Sequence, residues 1–218
     1  MKKHKVLFGY FEMIFDLLYL CVAAAAGVYM LLTALAPAQR LAGVAALVLA
    51  VGDAFHLLPR VAVIGSQNPQ KYQRALGFGK MVTSLTMAFF YLLLWQVGLL
   101  LSPMPVYTGY TYAIWFLVVA RVVLCVLPQN RWLQGPPLYN WGIWRNVPFV
   151  LQGAMVLLLF AKVGGVVMPL RWMWLAIALS FLFYLPVVLW ADKNPKLGML
   201  MLPKTCAYIW ILLMLTNI

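Results

Sequence analysis

Residues 81–120 read MVTSLTMAFFYLLLWQVGLLLSPMPVYTGYTYAIWFLVVA, and this stretch contains no charged side chain. A helix needs roughly 20 apolar residues to cross the ~30 Å hydrocarbon layer of a bilayer. Forty uncharged residues therefore exceed one span. The Pro and Gly residues of SPMPVYTG, residues 102–109, are typical of a turn between two helices. The stretch predicts two membrane-spanning helices joined by a short connection.

The rest of the chain has the same character. Hydrophobic residues make up 66% of the 218 residues and charged residues only 9%, whereas a soluble domain is about one quarter charged. The sequence predicts an all-α, polytopic membrane protein with one domain over residues 1–218 and no separate soluble part. The seven predicted spans are Val6–Leu35, Leu41–Leu58, Leu76–Leu101, Tyr110–Leu127, Val147–Val163, Leu170–Ala191 and Leu197–Ile218.

The distribution of basic residues predicts how the chain is inserted. Sixteen Lys and Arg oppose four Asp and Glu, which gives a formal charge of +12. Eleven basic residues fall on the side of the amino terminus and three on the other side, and cytoplasmic loops carry such an excess. We expect a cytoplasmic amino terminus and an outer carboxyl terminus, in the inner or plasma membrane. Insertion accounts for the charge, so membrane lipids, and not nucleic acid, are the expected partners.

Three ionisable groups lie at helical spacing in and just after the inner end of the second predicted span. In VGDAFHLLPRVAVIG, residues 51–65, the side chains of Asp53, His56 and Arg60 fall within about 60° of one another on a helix. Pro59 cannot donate to the carbonyl of Phe55, so the helix is expected to end or bend near it. If the helix continues instead, Arg60 becomes buried.

Further ionisable groups lie inside other predicted spans. Glu12, Asp16 and Tyr19 share one face of the first span. A charge placed in lipid costs at least about 2.5–3.5 kcal/mol, so we expect these groups to face a shared, water-filled cavity in the cytoplasmic half. The groups expected to line this cavity include three acids and four permanently charged bases. Their net charge is therefore positive, which suits an anionic lipid or small-molecule ligand. The other spans contribute Lys80, Arg121 and Lys204.

Residue chemistry divides this set into two roles. Carboxylates and a histidine suit general acid and base catalysis, whereas basic and phenolic groups suit binding of an anion. No metal or cofactor is predicted, and the oligomeric state stays open. The predicted catalytic residues are Asp53, His56, Asp16 and Glu12. The predicted ligand-binding residues are Arg60, Lys80, Arg121, Lys204 and Tyr19.

The segment GDAFHLLPR, followed by an apolar helix that ends FFYLLLW, resembles the Gly-Asp and Leu-Pro segment of the YhhN/TMEM86 family, which includes lysoplasmalogenases. The resemblance implies hydrolysis of the vinyl-ether bond of lysoplasmalogens, with Asp53 at the position of the family's aspartate. The family's later Ser-Asp pair has no counterpart here, where SFLFYLPVVLWAD carries Leu185 and Pro186.

Three functions remain open at this point. The first is a lipid-processing hydrolase that acts on the ether bond of lysophospholipids. The second is a proton-coupled transporter or a ligand sensor for a small anion, since intramembrane acids and histidines often carry protons. The third is a structural membrane protein whose ion pairs hold its helices together.

Overall fold

The computed structural model of the protein describes residues 2–66, 69–134, 139–190 and 194–218. Three short 3-10 helices, Pro128–Asn130, Met168–Leu170 and Pro195–Leu200, lie in the connections. Among the described residues, seven helical segments are long and apolar enough to cross a membrane, which confirms the predicted all-α fold with seven spans. The α-helices are α1 (Lys2–Thr33), α2 (Pro37–Ser66), α3 (Pro69–Leu101), α4 (Thr108–Val126), α5 (Tyr139–Trp144), α6 (Val147–Val163), α7 (Met173–Trp190) and α8 (Met201–Leu215).

The predicted end of the second span at Leu58 is wrong. Helix α2 continues through Pro59 to Ser66, and α3 begins at Pro69 where the sequence predicted Leu76. With about 1.5 Å of rise per residue, the 30 residues of α2 extend roughly 45 Å, which is longer than the hydrocarbon layer is thick.

The helices form a closed ring in which each spanning helix packs on its chain neighbours. Helix α2 packs most extensively, against α1 on one side and α3 on the other. Helices α6, α7 and α8 continue the ring, and α8 closes it against α1. Helices α2 and α8 also touch directly, so side chains from α1, α2 and α8 can meet inside the bundle.

Small residues bring α1 and α2 close together. A methyl group on Gly27 would lie 2.8 Å from the Leu47 side chain, and one on Gly43 would lie 2.9 Å from Leu31. Ala23 is fully buried one turn before Gly27. Such small residues let membrane helices approach closely, which places the polar side chains of α1 and α2 within reach of each other.

Helices α2 and α3 approach closely at the level of Asp53. The hydroxyl of Thr83 donates a 2.8 Å hydrogen bond to the carbonyl oxygen of Gly52. A methyl group on Gly79 would collide with the carbonyl oxygen of Phe55. The backbone on both sides of Asp53 is therefore fixed against α3.

The two halves of the bundle differ in chemistry. The end that holds the α2–α3 connection and the exposed Lys71, Arg74 and Arg131 is here named the basic end. The interior of the other half is apolar, with fully buried residues from five helices: Met30, Ala46, Leu94, Val156 and Ile211. The outer surface is apolar as well, since Leu32, Phe116 and Leu182 are 83%, 72% and 62% exposed, as expected for side chains that face lipid.

Candidate functional site

The polar interior of the basic half begins with two contacts between α1 and α2. Tyr19 is buried on α1, and its hydroxyl donates a 2.6 Å hydrogen bond to Oδ2 of Asp53. Nearer to the basic end, Glu12 forms an ion pair with Arg60. The Arg60 side chain is 35% exposed and that of Glu12 is 14% exposed, so this pair borders solvent or headgroups. The continued helix thus leaves Arg60 partly buried and paired.

Between these two contacts lie Asp16 on α1 and His56 on α2. Asp16 is 5% exposed, and its Oδ2 atom has no hydrogen-bond partner. The Nδ1 atom of His56 is also buried without a partner. A buried polar atom without a hydrogen bond costs roughly 1–3 kcal/mol, so each such atom calls for an explanation such as a catalytic role or a bound group.

Helix α8 contributes a buried amine to the same region. Lys204 is 7% exposed, and its Nζ atom lies 4.8 Å from the ring centre of Tyr184 and 5.2 Å from that of Tyr208. Lys204 is the basic residue whose charge acts on Asp53. Electron-rich rings and a carboxylate can together stabilise an ammonium group in a low-dielectric interior. Asp53 therefore has two polar neighbours on other helices, the Tyr19 hydroxyl of α1 and the Lys204 ammonium group of α8.

A series of hydroxyl groups leads from Lys204 toward the centre of the bundle. Tyr208 interacts through its side chain with Tyr91 of α3. The Tyr91 hydroxyl lies 3.0 Å from Oγ of Ser180 on α7, and Ser180 donates to the carbonyl oxygen of Ile177 at 2.8 Å. These three side chains are buried, and the interior beyond them consists of the apolar residues of the other half. The polar series therefore ends inside the protein.

Arg121 is placed differently from the other predicted ligand-binding residues. It is 1% exposed, and its guanidinium donates to the backbone oxygens of Ser84 and Arg145 and to Oδ1 of Asn146. The same guanidinium lies 4.1 Å from the ring centre of Phe149. Acceptors of the protein itself thus occupy much of its hydrogen-bonding capacity, and it links α3, α4 and the start of α6.

The structure brings together most of the residues that the sequence singled out. Lys80 is exposed on α3, and its charge reaches His56. Arg121 connects to the cluster indirectly, because the Tyr184 hydroxyl donates to Asn146 at 2.6 Å while its ring lies against Lys204. The group around α1, α2 and α8, here named the polar cluster, consists of Glu12, Asp16, Tyr19, Asp53, His56, Arg60 and Lys204.

Sequence reasoning missed Tyr184, Asn146 and Ser180, which connect the polar cluster to α6 and α7. Asn146 accepts hydrogen bonds from both Arg121 and Tyr184. The signal that could have revealed these three was the same one that marked the charged groups, namely a polar side chain in an apolar stretch. Ser and Tyr are common in membrane helices, so that signal is much weaker for uncharged residues.

Comparisons with known proteins add no further constraint. No protein-family model matches the chain, and comparisons with curated proteins and with solved structures found no match. In the part of the chain that the structure describes, no group of three His, Cys, Asp or Glu residues could hold a metal ion. The chain is an integral membrane protein with a polar interior in its basic half.

Proposed function

We propose that this integral membrane protein is a lipid hydrolase with Asp53 as its acid, acting on the vinyl-ether bond of lysoplasmalogens. The observation that carries the proposal is the position of Asp53. Asp53 is half-buried as a residue, and its carboxyl group accepts from Tyr19 at 2.6 Å and lies within the field of the buried Lys204. A carboxyl group that a neighbouring hydroxyl holds in a fixed orientation suits proton transfer to a bound substrate.

The proposed reaction consumes one water molecule and needs no redox partner. Asp53 delivers a proton to the double-bond carbon that does not carry the ether oxygen. An oxocarbenium ion then forms at the other carbon, which carries the oxygen. Water adds to that carbon and gives a hemiacetal, while its released proton restores Asp53 through a neighbouring base. The hemiacetal then breaks its bond to the glycerol oxygen, which yields a fatty aldehyde and a glycerophospho-base. Asp16, His56 and Glu12 are the neighbouring groups that can accept the proton.

The headgroup phosphate of such a lipid would bind at the basic end. Arg60 and Lys80 are the accessible basic residues beside His56, and a guanidinium or ammonium group binds phosphate well. The hydrogen bonds of Arg121 to three protein acceptors make it the poorer choice. The apolar tail would then lie along the lipid-facing surface of the bundle.

Two further observations support this choice. The polar series through Tyr91 and Ser180 ends against an apolar half, which favours a site reached from one side over a path across the membrane. The resemblance of GDAFHLLPR to the YhhN/TMEM86 segment favours a lysoplasmalogen as the substrate.

The test is an assay of purified protein with a lysoplasmalogen, in which released aldehyde is measured. Asp53→Asn keeps an acceptor for Tyr19 but cannot deliver the proton, so kcat is expected to fall by roughly 10²–10⁴-fold. Asp192→Asn is the matched control, since it changes the same residue type in the connection between α7 and α8, outside the described residues, and full activity is expected. Absence of turnover by the folded wild-type protein would reject the proposal.

A second candidate is a proton-coupled transporter or sensor for a small anion. The observation that favours it is Asp16, a buried acid inside a spanning helix, because acids in such positions often belong to proton relays. Protein reconstituted in vesicles would then move protons when phosphate or a carboxylate is added. Proton movement without aldehyde release would select this candidate over the hydrolase.

A further inference from the structure

Helices α1 and α2 make two polar contacts with each other, at two different levels of the bundle. The inner contact is the hydrogen bond from Tyr19 to Asp53, and the outer contact is the ion pair of Glu12 with Arg60. Because α1 and α2 are antiparallel, an earlier residue of α1 lies at the same level as a later residue of α2. The two contacts are seven residues apart on both helices, so they fix a single register for the pair.

Asp16 and His56 occupy the level between these contacts. Asp16 stands three residues from the inner contact and four from the outer one on α1, and His56 has the same two spacings on α2. Residues three and four apart share a helix face, so both lie on the faces that meet. Each nevertheless has a buried atom without a hydrogen bond, Oδ2 of Asp16 and Nδ1 of His56.

We propose that this middle level is a binding site for a hydroxyl group, which bridges Asp16 and His56. A hydroxyl donates one hydrogen bond and accepts two, so it can donate to Oδ2 of Asp16 while it accepts from a protonated Nδ1 of His56. A water molecule has two O–H groups and can also donate to Nδ1 in the other tautomer. One bound group would satisfy both orphaned atoms. The bridge adds a third contact between α1 and α2, at the level between the other two.

The surrounding charges select a neutral group over an ion. A bound anion would meet Asp16 and the other two carboxylates, whereas a bound cation would meet the basic residues around His56. Both kinds of ion would therefore be repelled by part of the site. The charges that act on Asp16 are Arg60, Glu12 and Asp53. Those that act on His56 are Lys80, Arg60 and Lys204.

Two sources of the hydroxyl share this chemistry. One is the water molecule that the proposed hydrolysis consumes, and the other is the free hydroxyl of the lysolipid headgroup. The inference rests on the proposed function only for the choice of a lysolipid as the probe. Binding is measured apart from turnover, so failure of the hydrolase proposal and failure of this site give different results.

Histidine NMR tests the site directly, because His4 and His56 are the only histidines in the chain. Protein labelled with ¹⁵N-histidine is placed in lipid nanodiscs, and loss of a signal in His56→Gln assigns His56. A short-chain lysophosphatidylcholine is then compared with its analogue in which the free hydroxyl is methylated. Magnetisation transfer from water to Nδ1 of His56 is recorded without added lysolipid.

A shift of the His56 signal with the lysolipid but not with its methyl ether supports the site and identifies the lipid hydroxyl as the occupant. Transfer from water, with equal responses to both lipids, supports it with water as the occupant. Asp16→Leu should abolish either effect, Asp16→Asn should retain part of it, and Asp192→Asn should leave it intact. Absence of both water transfer and a difference between the lipids would overturn the inference.

Discussion

At the scale of single residues, Arg121 illustrates how a charge inside a membrane protein can serve structure. Its guanidinium donates to Ser84, Arg145 and Asn146 and stacks on Phe149. The sequence predicted a ligand-binding role for Arg121 from its positive charge inside the fourth predicted span. Depth alone cannot distinguish a ligand contact from a link between helices, because the acceptors lie 24–37 residues away along the chain.

Arg121→Met is therefore expected to lower stability. Methionine retains much of the apolar stem but removes three hydrogen bonds, and a lost hydrogen bond to a charged group costs about 1.5–3 kcal/mol. We expect the free energy of unfolding in detergent to fall by about 2–5 kcal/mol. Arg40→Met, at an exposed arginine near the start of α2, should change it by about 0.5 kcal/mol or less. An increased KM for a phosphate-bearing lipid with unchanged stability would instead indicate a ligand contact.

Tyr19→Phe removes one hydroxyl from the site and little else. The ring of Tyr19 is buried and stays packed, but Asp53 loses the donor that orients its carboxyl group. A hydrogen bond to a charged group is worth about 1.5–3 kcal/mol, which corresponds to a fall of roughly 10–150-fold in kcat/KM if the bond persists in the transition state. The measurement is aldehyde release beside a thermal unfolding curve. Unchanged kcat/KM in a folded variant would show that Tyr19 does not orient the acid.

At the scale of elements, the continuation of α2 through Pro59 explains why the predicted boundary failed. Proline has no N–H group, so the carbonyl of Phe55 loses its helical donor. In the structure this carbonyl packs against Gly79 of α3, where the absence of a Cβ lets the two backbones meet. Packing on α3 thus supports a helix that local propensity would end. A single sequence shows the proline but not the glycine that lies opposite it.

The pair Gly79→Ala and Gly65→Ala tests this packing. An added methyl group at Gly79 collides with backbone atoms of Phe55 and His56, whereas one at Gly65 meets open space. Gly79→Ala should force α2 and α3 apart and lower the free energy of unfolding by about 1–3 kcal/mol, with a loss of activity as His56 moves. Gly65→Ala should be neutral, or stabilising by up to about 1 kcal/mol through helix propensity. Equal effects of the two variants, in unfolding measured in detergent, would contradict the close contact.

At the scale of the whole molecule, the sequence predicted the number of spans from the length of its apolar stretches, and the main members of the polar cluster from the cost of burying a charge. A charged group in an apolar span is costly unless it is paired, so these groups had to converge. The same cost does not apply to Tyr184 or Ser180, and their contacts depend on how α7 is rotated. Rotation follows from packing between helices distant in sequence, which periodicity along one helix does not encode.

The orientation of the bundle is the last prediction, and it decides from which side the polar cluster is reached. The basic end, with Lys71 and Arg131, is expected to face the cytoplasm, because positively charged loops are retained there. In a chain with Ala at positions 21, 125 and 206, single cysteines are introduced as Lys71→Cys and Lys162→Cys, both at exposed positions. An impermeant maleimide added to intact cells should label position 162 only, and cell lysis should expose position 71. Labelling of position 71 in intact cells would reverse the orientation and place the Arg60 side of the cluster toward the outer leaflet.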